Sequence, residues 1–356
     1  MALDCEAAGF HRYSDRVCLI QVTVRASPNG AGTFLVDPLA FDPSRLLAPV
    51  AEDRDRELIM HGADYDIRLL DRDLGIRLQG LFDTQIAAQL LGVHGPSLSK
   101  LLEVYLGVEV PKKHQRADWA ERPLPQELVE YAAEDTRYLH DLRDRLAAEL
   151  EEKGRLAWAR EEFRFQEEVR FQDTEGEDPV TRVKAARDLP VRQVALLREA
   201  LAWRDEVARA RDRAPFRVAS DEVLIRVVQA VPSSTEALAG VKGFSSRLAQ
   251  EWGRDLLDRL RTVLETAEDE LEPYPSHSDS AAGRPAPEEE ERMNRLKKVR
   301  NAMAEDLGLE RGVLLPNHLL RAIAGEAPGD EGDLRKVPGI RRWQVEVLGP
   351  DLLSAI

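Results

Sequence analysis

Leu3-Asp-Cys-Glu6 places two acids inside an apolar segment at the start of the chain. Asp4 and Glu6 are two residues apart, so on a β-strand both side chains leave the same face. Two carboxylates on an otherwise buried strand are costly unless a cation compensates them. Taken alone, the pair is more typical of a half-exposed strand. Cys5 lies between the acids and is expected to face the core as a small apolar residue.

Two later fragments add acids at the edges of predicted elements. His61-Gly-Ala-Asp-Tyr-Asp66 follows an apolar strand at 58–61, and its last acid falls in the first turn of a helix. Tyr131 and Asp135 are four residues apart in a predicted helix, so they share one face. Each fragment also has a simpler interpretation, as a helix-end acid or as a core tyrosine above a surface acid. Only the succession of all three fragments favours one functional site.

Strand and helix patterns alternate over the first 150 residues. Apolar, β-branched runs predict strands at 17–24 and 33–37, and the helical spacing of apolar residues predicts helices from residue 84 onward. A helix that starts near Pro125 is expected to continue towards residue 150. This order indicates an α/β domain.

The rest of the chain is predicted to be helical and to repeat itself. An offset of 96 residues matches Val241-Lys-Gly243 with Val337-Pro-Gly339, and it also matches Arg204 with Arg300. Gap-free agreement of this kind predicts two copies of one small helical module. The expected organisation is an α/β domain at 1–150, an acidic helical linker at 151–185, a first module at 186–267, a flexible Pro-, Ser- and Glu-rich linker at 268–289 and a second module at 290–356.

Composition limits the class of protein. The hydrophobic fraction of 43% and the charged fraction of 32% are typical of a soluble globular protein. No run approaches the roughly 20 apolar residues that a membrane-spanning helix needs, and no signal-peptide pattern is present. Two cysteines, Cys5 and Cys18, cannot build a disulfide framework. We therefore expect a cytoplasmic protein with no membrane partner.

The net charge of −15 argues at first against a nucleic-acid partner. The acids are concentrated at 151–180 and 266–291, whereas residues 181–265 hold 16 Lys and Arg against 12 Asp and Glu. Acidic blocks are usually solvated linkers, so the overall charge does not exclude nucleic acid. Four arginines between residues 209 and 217 either contact phosphates or form a solvated helix end.

Four acids and one tyrosine suit a particular chemistry. Phosphodiester hydrolysis places negative charge on the attacking and leaving oxygens, and two divalent ions stabilise both. Asp and Glu offer the hard oxygen ligands that Mg²⁺ and Mn²⁺ prefer. A tyrosine hydroxyl one helical turn from Asp135 can orient the attacking water. The fragments therefore predict a two-metal 3′→5′ exonuclease.

The sequence resembles a ribonuclease D-type member of the DEDD exonuclease superfamily, in its tyrosine-bearing subclass. The matching segments are Leu3-Asp-Cys-Glu6, Arg16-Val-Cys-Leu-Ile-Gln-Val22, Met60-His-Gly-Ala-Asp-Tyr-Asp66, Leu81-Phe-Asp-Thr-Gln85, Ala117-Asp-Trp-Ala-Glu-Arg-Pro-Leu124 and Tyr131-Ala-Ala-Glu-Asp-Thr-Arg-Tyr-Leu139. The related subclass has a histidine five residues before the last acid, where this chain has Glu130. The twin modules resemble the helicase-and-RNase-D C-terminal (HRDC) domain.

The resemblance implies a ribonuclease H-like fold and a set of roles. It implies that two Mg²⁺ or Mn²⁺ ions are bound by Asp4, Glu6, Asp66 and Asp135, with Tyr131 assigned to the water. Lys112 matches the approximate position of a substrate-contacting lysine in relatives, although a solvated loop charge is an equally good interpretation. Relatives begin the first strand many residues before the acid pair. Here three residues precede Asp4, so either the start codon is misassigned or the strand is truncated, and a strand this short before its acids is expected to be poorly anchored.

We expect a metal-dependent 3′→5′ exoribonuclease that acts on structured RNA such as tRNA precursors and releases nucleoside 5′-monophosphates. A DNA exonuclease with the same site is one alternative, which the lack of a polymerase or helicase motif disfavours. A catalytically silent nucleic-acid-binding scaffold is another, which the retention of four acids and the tyrosine disfavours.

Overall fold

The N-terminal domain is built on one mixed β-sheet. The computed structural model describes residues 1–25, 31–110, 114, 116–174, 176–275 and 286–356. Within these residues the strands are β1 Ala2–Ala7, β2 Val17–Val24, β3 Gly32–Val36, β4 Leu58–Met60 and β5 Leu81–Asp83. They lie in the order β3-β2-β1-β4-β5, with β1 antiparallel to β2 and parallel to β4. This is the α/β domain that the sequence predicts.

The first strand is the centre of the sheet. β1 pairs with β2 along its whole length, from Ala2 opposite Thr23 to Ala7 opposite Val17, and Ala2 also lies opposite Ile59 of β4. β2 is buried on both faces, which explains its nearly continuous apolar run. β1 is therefore hydrogen-bonded on both edges. The poorly anchored strand expected from the sequence is not what the structure shows.

Seven helices flank the sheet within the described residues. They are α1 Ser44–Ala51, α2 Asp64–Leu74, α3 Thr84–Leu90, α4 Leu98–Leu106, α5 Gln126–Arg137, α6 Leu139–Glu152 and α7 Leu156–Glu167. α5 packs across β1, β2 and β3, whereas α6 contacts β4 and α7 contacts β5. The sequence predicts one helix from Pro125 towards residue 150, but the chain forms two helices that meet at Tyr138.

Helix α7 differs from the solvated linker expected at 151–185. Ala159 and Phe163 are buried, and the Phe163 ring lies 4.9 Å from the ring of Phe82 in β5. Leu156, Ala159 and Phe163 recur at helical spacing beneath a surface of acids. The segment is helical as expected, but this helix is a packed part of the N-terminal domain.

The second half of the chain contains two copies of a five-helix unit within the described residues. The paired helices are α8 Val191–Ala210 with α13 Pro287–Leu307, α9 Pro215–Val218 with α14 Arg311–Leu314, α10 Asp221–Ala230 with α15 Asn317–Glu326, α11 Thr235–Gly240 with α16 Glu331–Leu334, and α12 Ser246–Glu265 with α17 Arg342–Ala355. Each helix of the second copy begins 96 residues after its counterpart in the first copy. The repeat predicted from the sequence is confirmed. We call α8–α12 the first module and α13–α17 the second.

One arginine ties together equivalent elements in both modules. Each guanidinium on the long first helix donates to the turn that precedes the third helix. In the first module Arg204 donates to Ala219 O (3.1 Å) and Asp221 Oδ1 (2.6 Å). In the second module Arg300 donates to Leu315 O (3.1 Å) and Asn317 Oδ1 (2.8 Å). The matched partners explain why Arg204 and Arg300 align in the sequence repeat.

The second module shares one hydrophobic core with the N-terminal domain. Glu161 of α7 accepts hydrogen bonds from the backbone N–H groups of Arg342 and Trp343, and the Trp158 and Trp343 rings stack 4.8 Å apart. Gly92 permits a close approach here, since a Cβ on it would lie 2.3 Å from the Gly308 carbonyl oxygen. The second module is therefore docked on the N-terminal domain through α7 and its surroundings.

The first module has a core of its own and contacts the N-terminal domain through the loop between β1 and β2. The Tyr13 hydroxyl donates to Asp205 Oδ2 at 2.9 Å, and Ala214 N donates to His11 O at 3.1 Å. Short 3₁₀ helices at Pro179–Arg182 and Lys184–Asp188 precede this module and one at Glu268–Glu270 follows it. The loop between β1 and β2, through which the first module makes these contacts, immediately follows the strand that carries Asp4 and Glu6.

The flexible linker predicted at 268–289 falls largely outside the described residues, which omit 276–285. Among the helices that the structure describes, none is long and apolar enough to cross a membrane.

The buried Arg300 generates a stability prediction. Arg300→Ala leaves the Leu315 carbonyl and the Asn317 side chain without their donor, so we expect the free energy of unfolding to fall by about 2 kcal/mol. Urea unfolding followed by circular dichroism measures the change. Arg311→Ala, an exposed arginine of the same module, is the control and should shift it by no more than about 0.5 kcal/mol. Equal effects of the two variants would contradict the role assigned to Arg300.

Candidate active site

β1 presents the first two acids on one face of the sheet. Asp4 lies opposite Gln21 of β2, and Glu6 lies opposite Leu19, so the two carboxylates point the same way. Cys5 faces the other side and is buried in the core, as the alternation of the strand predicts. Both acids remain partly exposed. The central strand therefore holds two carboxylates side by side at an accessible surface.

Helix α5 brings a third carboxylate to this pair. Tyr131 and Asp135 lie one turn apart on the helix that packs across β1. Carboxylate oxygens of Asp4, Glu6 and Asp135 all lie within 4.8 Å of one another. Residues that are about 130 positions apart in sequence thus form one acidic cluster.

Asp66 completes the cluster from the opposite direction. α2 begins at Asp64 shortly after β4, the parallel neighbour of β1, so its first turn opens beside the acid pair. Asp66 is buried and hydrogen-bonds to Asp4. All four acids predicted from the sequence therefore meet at one place.

Asp83 is a residue of the site for which the sequence analysis predicts no role. This fully buried acid ends β5 and accepts hydrogen bonds from the backbone N–H groups of Gly62 (2.9 Å), Ala63 (2.8 Å) and Gln85 (2.8 Å). The first two contacts fix the turn that leads into α2 and hence to Asp66. Its position at the start of a helix, within Leu81-Phe-Asp-Thr-Gln85, is the signal of an N-cap.

The pKa values of all four acids are raised. Burial is the main cause for each, followed by the charges of neighbouring acids. The pKa of Glu6 rises to about 10, that of Asp135 to about 8 and that of Asp66 to about 7, while the pKa of Asp4 lies well above its usual range. A set of hard oxygen donors that resists ionisation in this way is suited to a divalent cation, which favours the charged forms.

Tyr131 lies beside the cluster against two other rings. The ring of Trp119 is 6.1 Å away and that of His114 is 5.5 Å away, measured between centroids. Burial and the nearby acids raise the pKa of Tyr131, so its hydroxyl stays protonated near neutral pH. A neutral hydroxyl in this position can donate to, or accept from, a water molecule at the acids.

The segment before α5 is fastened to the sheet by two arginines. Arg122 pairs with Asp37 at 2.7 Å and donates to Cys18 O at 2.8 Å, and Arg12 pairs with Asp118 at 2.8 Å. These contacts hold Trp119 against Tyr131. Lys112, the predicted substrate contact, lies outside the described residues.

Comparison with known proteins identifies the family. A 3′-5′ exonuclease family model matches residues 1–151, and an HRDC-domain model matches residues 193–260 and 289–356. Ribonuclease D of Pseudomonas paraeruginosa is 28% identical over 362 residues, which cover all of this chain and 92% of that protein. The chain is therefore a 3′→5′ exonuclease with two HRDC domains, similar to ribonuclease D over its whole length.

Other relatives of this exonuclease agree in sequence and in fold. The exosome complex exonuclease RRP6 of Saccharomyces cerevisiae is 31% identical, over 80% of this chain and 40% of that protein. The crystal structure of Escherichia coli RNase D superposes with a TM-score of 0.69 at 26% identity, over 99% of this chain and 92% of that one. A Bifidobacterium adolescentis protein gives a TM-score of 0.78 at 26% identity, over 100% and 91%. The expected fold, an exonuclease domain followed by two HRDC domains, is confirmed.

The raised pKa values of the acids predict how stability depends on pH. The folded state binds more protons than the unfolded state from about pH 4 to pH 8, so the free energy of unfolding should fall as pH rises through this range. Asp66→Asn removes one such group. In EDTA we therefore expect its free energy of unfolding to drop between pH 5.5 and pH 8 by about 1–2 kcal/mol less than that of the parent. Urea unfolding at both pH values measures this, and equal losses in the two proteins would contradict it.

Asp83 generates a second prediction. Asp83→Ala removes the acceptor for three buried or partly buried N–H groups, so the free energy of unfolding should fall by about 2–3 kcal/mol. The turn that carries Asp66 should also move, and nuclease activity should fall even where the protein remains folded. Urea unfolding and RNA shortening are measured together. Asp64→Ala replaces an exposed acid at the start of α2 and is the control, and matching losses in both proteins would remove the special role of Asp83.

Proposed function

We propose that the protein is a metal-dependent 3′→5′ exoribonuclease that releases nucleoside 5′-monophosphates. The observation that carries this proposal is the meeting of Asp4, Glu6 and Asp135 within 4.8 Å, with Asp66 hydrogen-bonded to Asp4. These four acids come from β1, α2 and α5, and Tyr131 lies one helical turn from Asp135 on α5.

Four of these side chains form the donor set for two Mg²⁺ or Mn²⁺ ions. Their hard oxygens and raised pKa values fit divalent cations of this kind. When bound, such ions stabilise negative charge on both the attacking and the leaving oxygen of the phosphodiester. The Tyr131 hydroxyl orients the attacking water, and its rigid packing against Trp119 keeps it in place.

RNA is the substrate that we propose. The E. coli relative is described as an exoribonuclease involved in structured RNA processing, and the yeast relative is an exosome exonuclease. Structured RNA such as tRNA precursors is the corresponding class for this chain, in the cytoplasm. The exonuclease domain, which we place at 1–150, supplies the chemistry, and the HRDC domains supply contacts to nucleic acid.

Two alternatives lead to different measurements. A DNA exonuclease would use the same four acids, and a silent scaffold would bind nucleic acid without cutting it. Incubation with end-labelled RNA and DNA, in Mg²⁺, in Mn²⁺ or in EDTA, separates the three. The exoribonuclease shortens RNA in metal only, the DNA exonuclease prefers DNA, and the scaffold gives no metal-dependent product.

Amide replacements test the assignment of the acids. Asp66→Asn and Asp135→Asn each remove one anionic ligand, so we expect RNA shortening to fall below about 1% of the parent rate while RNA binding persists. Gel analysis of the labelled RNA gives the rate, and fluorescence anisotropy gives the affinity. The control is Asp64→Asn, an acid of α2 outside the cluster, which should keep parental activity. Parental rates in both cluster variants would show that the site is assigned wrongly.

A further inference from the structure

Two phenylalanines and two arginines form a cluster where the first HRDC domain meets the loop after β1. We call this the aromatic–arginine platform, and its residues are Phe10, Arg116, Phe216 and Arg217. The exposed Arg213 lies three residues before Phe216 and flanks the platform in sequence. The rings of Phe10 and Phe216 lie 5.5 Å apart, and the guanidinium carbons of Arg217 and Arg116 lie 4.7 and 5.4 Å from the Phe10 centroid. Phe216 is 49% exposed, so a large aromatic side chain here contacts solvent.

The platform lies close to the catalytic cluster in the chain. Phe10 is in the loop that follows β1, four residues after Glu6 of that strand. The His11 ring bonds to Arg116 O at 2.8 Å through Nε2 and to the Arg217 guanidinium at 2.9 Å through Nδ1. Two residues before Arg116, the His114 ring packs on Tyr131. A nucleic-acid strand that reaches the acids can therefore also reach this cluster.

The charge of the platform is positive although the chain as a whole is negative. The nearby acids Asp118 and Asp212 both pair with Arg12. Among the described residues no carboxylate forms a salt bridge with Arg116, Arg213 or Arg217, whereas most other arginines of the first module are paired. Unpaired guanidiniums beside exposed rings are the combination that binds phosphates and stacks bases.

The internal repeat shows that the fold does not require these side chains. The second HRDC domain has Leu309, Gly312 and Val313 at the positions of Arg213, Phe216 and Arg217. The helix α14 nevertheless begins at the same offset as α9. Only the domain that contacts the catalytic loop carries the aromatic and basic residues.

We propose that the aromatic–arginine platform binds single-stranded RNA a few nucleotides upstream of the 3′ end held at the acids. Phe216 stacks on a base, and Arg213 and Arg217 contact neighbouring phosphates. This inference rests on the exoribonuclease function proposed above. It adds a binding site formed jointly by the exonuclease domain and the first HRDC domain.

The test compares a long and a short substrate. Phe216→Gly, which installs the residue of the second HRDC domain, and Arg213→Ala should each weaken binding of a 12-nucleotide oligoadenylate by about tenfold. Anisotropy in EDTA measures the affinity, and Arg213→Ala should also reduce the salt dependence of log Kd by about 0.7. Hydrolysis of a dinucleotide in Mg²⁺, which is too short to reach the platform, should stay at the parental rate.

Controls separate this inference from the proposed function and from misfolding. Phe41→Gly removes an equally exposed phenylalanine elsewhere on the exonuclease domain and should leave RNA affinity unchanged. If Phe216→Gly and Arg213→Ala bind RNA with parental affinity while the parent shortens RNA, the RNA-binding role of the platform is contradicted. The proposed exoribonuclease function is unaffected by that result. Equal loss of dinucleotide and oligoadenylate hydrolysis also contradicts the RNA-binding role of the platform, since the residues then act on the catalytic domain itself. A parent that shortens no RNA overturns the proposed function.

Discussion

The burial of four carboxylates beside one another at the central strand is the constraint on which the exonuclease domain depends. Asp4 and Glu6 sit where a sheet normally places apolar residues, and Asp66 and Asp135 approach them from two helices. Without a cation this arrangement opposes folding, which the raised pKa values express. The surrounding structure compensates through strands on both edges of β1, a buried core beneath it and the N–H contacts of Asp83.

Features of the site that follow a short period could be predicted from the sequence. The two-residue spacing of Asp4 and Glu6 gives the shared face of a strand, and the four-residue spacing of Tyr131 and Asp135 gives one face of a helix. The 96-residue offset gives the twin modules in full. In each case one local rule determines the geometry.

Features that depend on contacts between distant segments could not be predicted in this way. β5 has three residues, too few to show a period, and the acids on the surface of α7 hide its apolar stripe. Asp83 acts on a turn 20 residues before it, so no spacing in the sequence reveals its role. The docking of the second HRDC domain through Glu161 depends likewise on a match between segments that are 180 residues apart.

The shared core of the exonuclease domain and the second HRDC domain has a topological consequence. Because these two parts are fused through α7, the first HRDC domain is connected by the chain to a single body at both of its ends. Separation of Tyr13 from Asp205 would therefore not release it. Return to the docked position is an intramolecular event, governed by a high effective concentration and independent of how dilute the protein is.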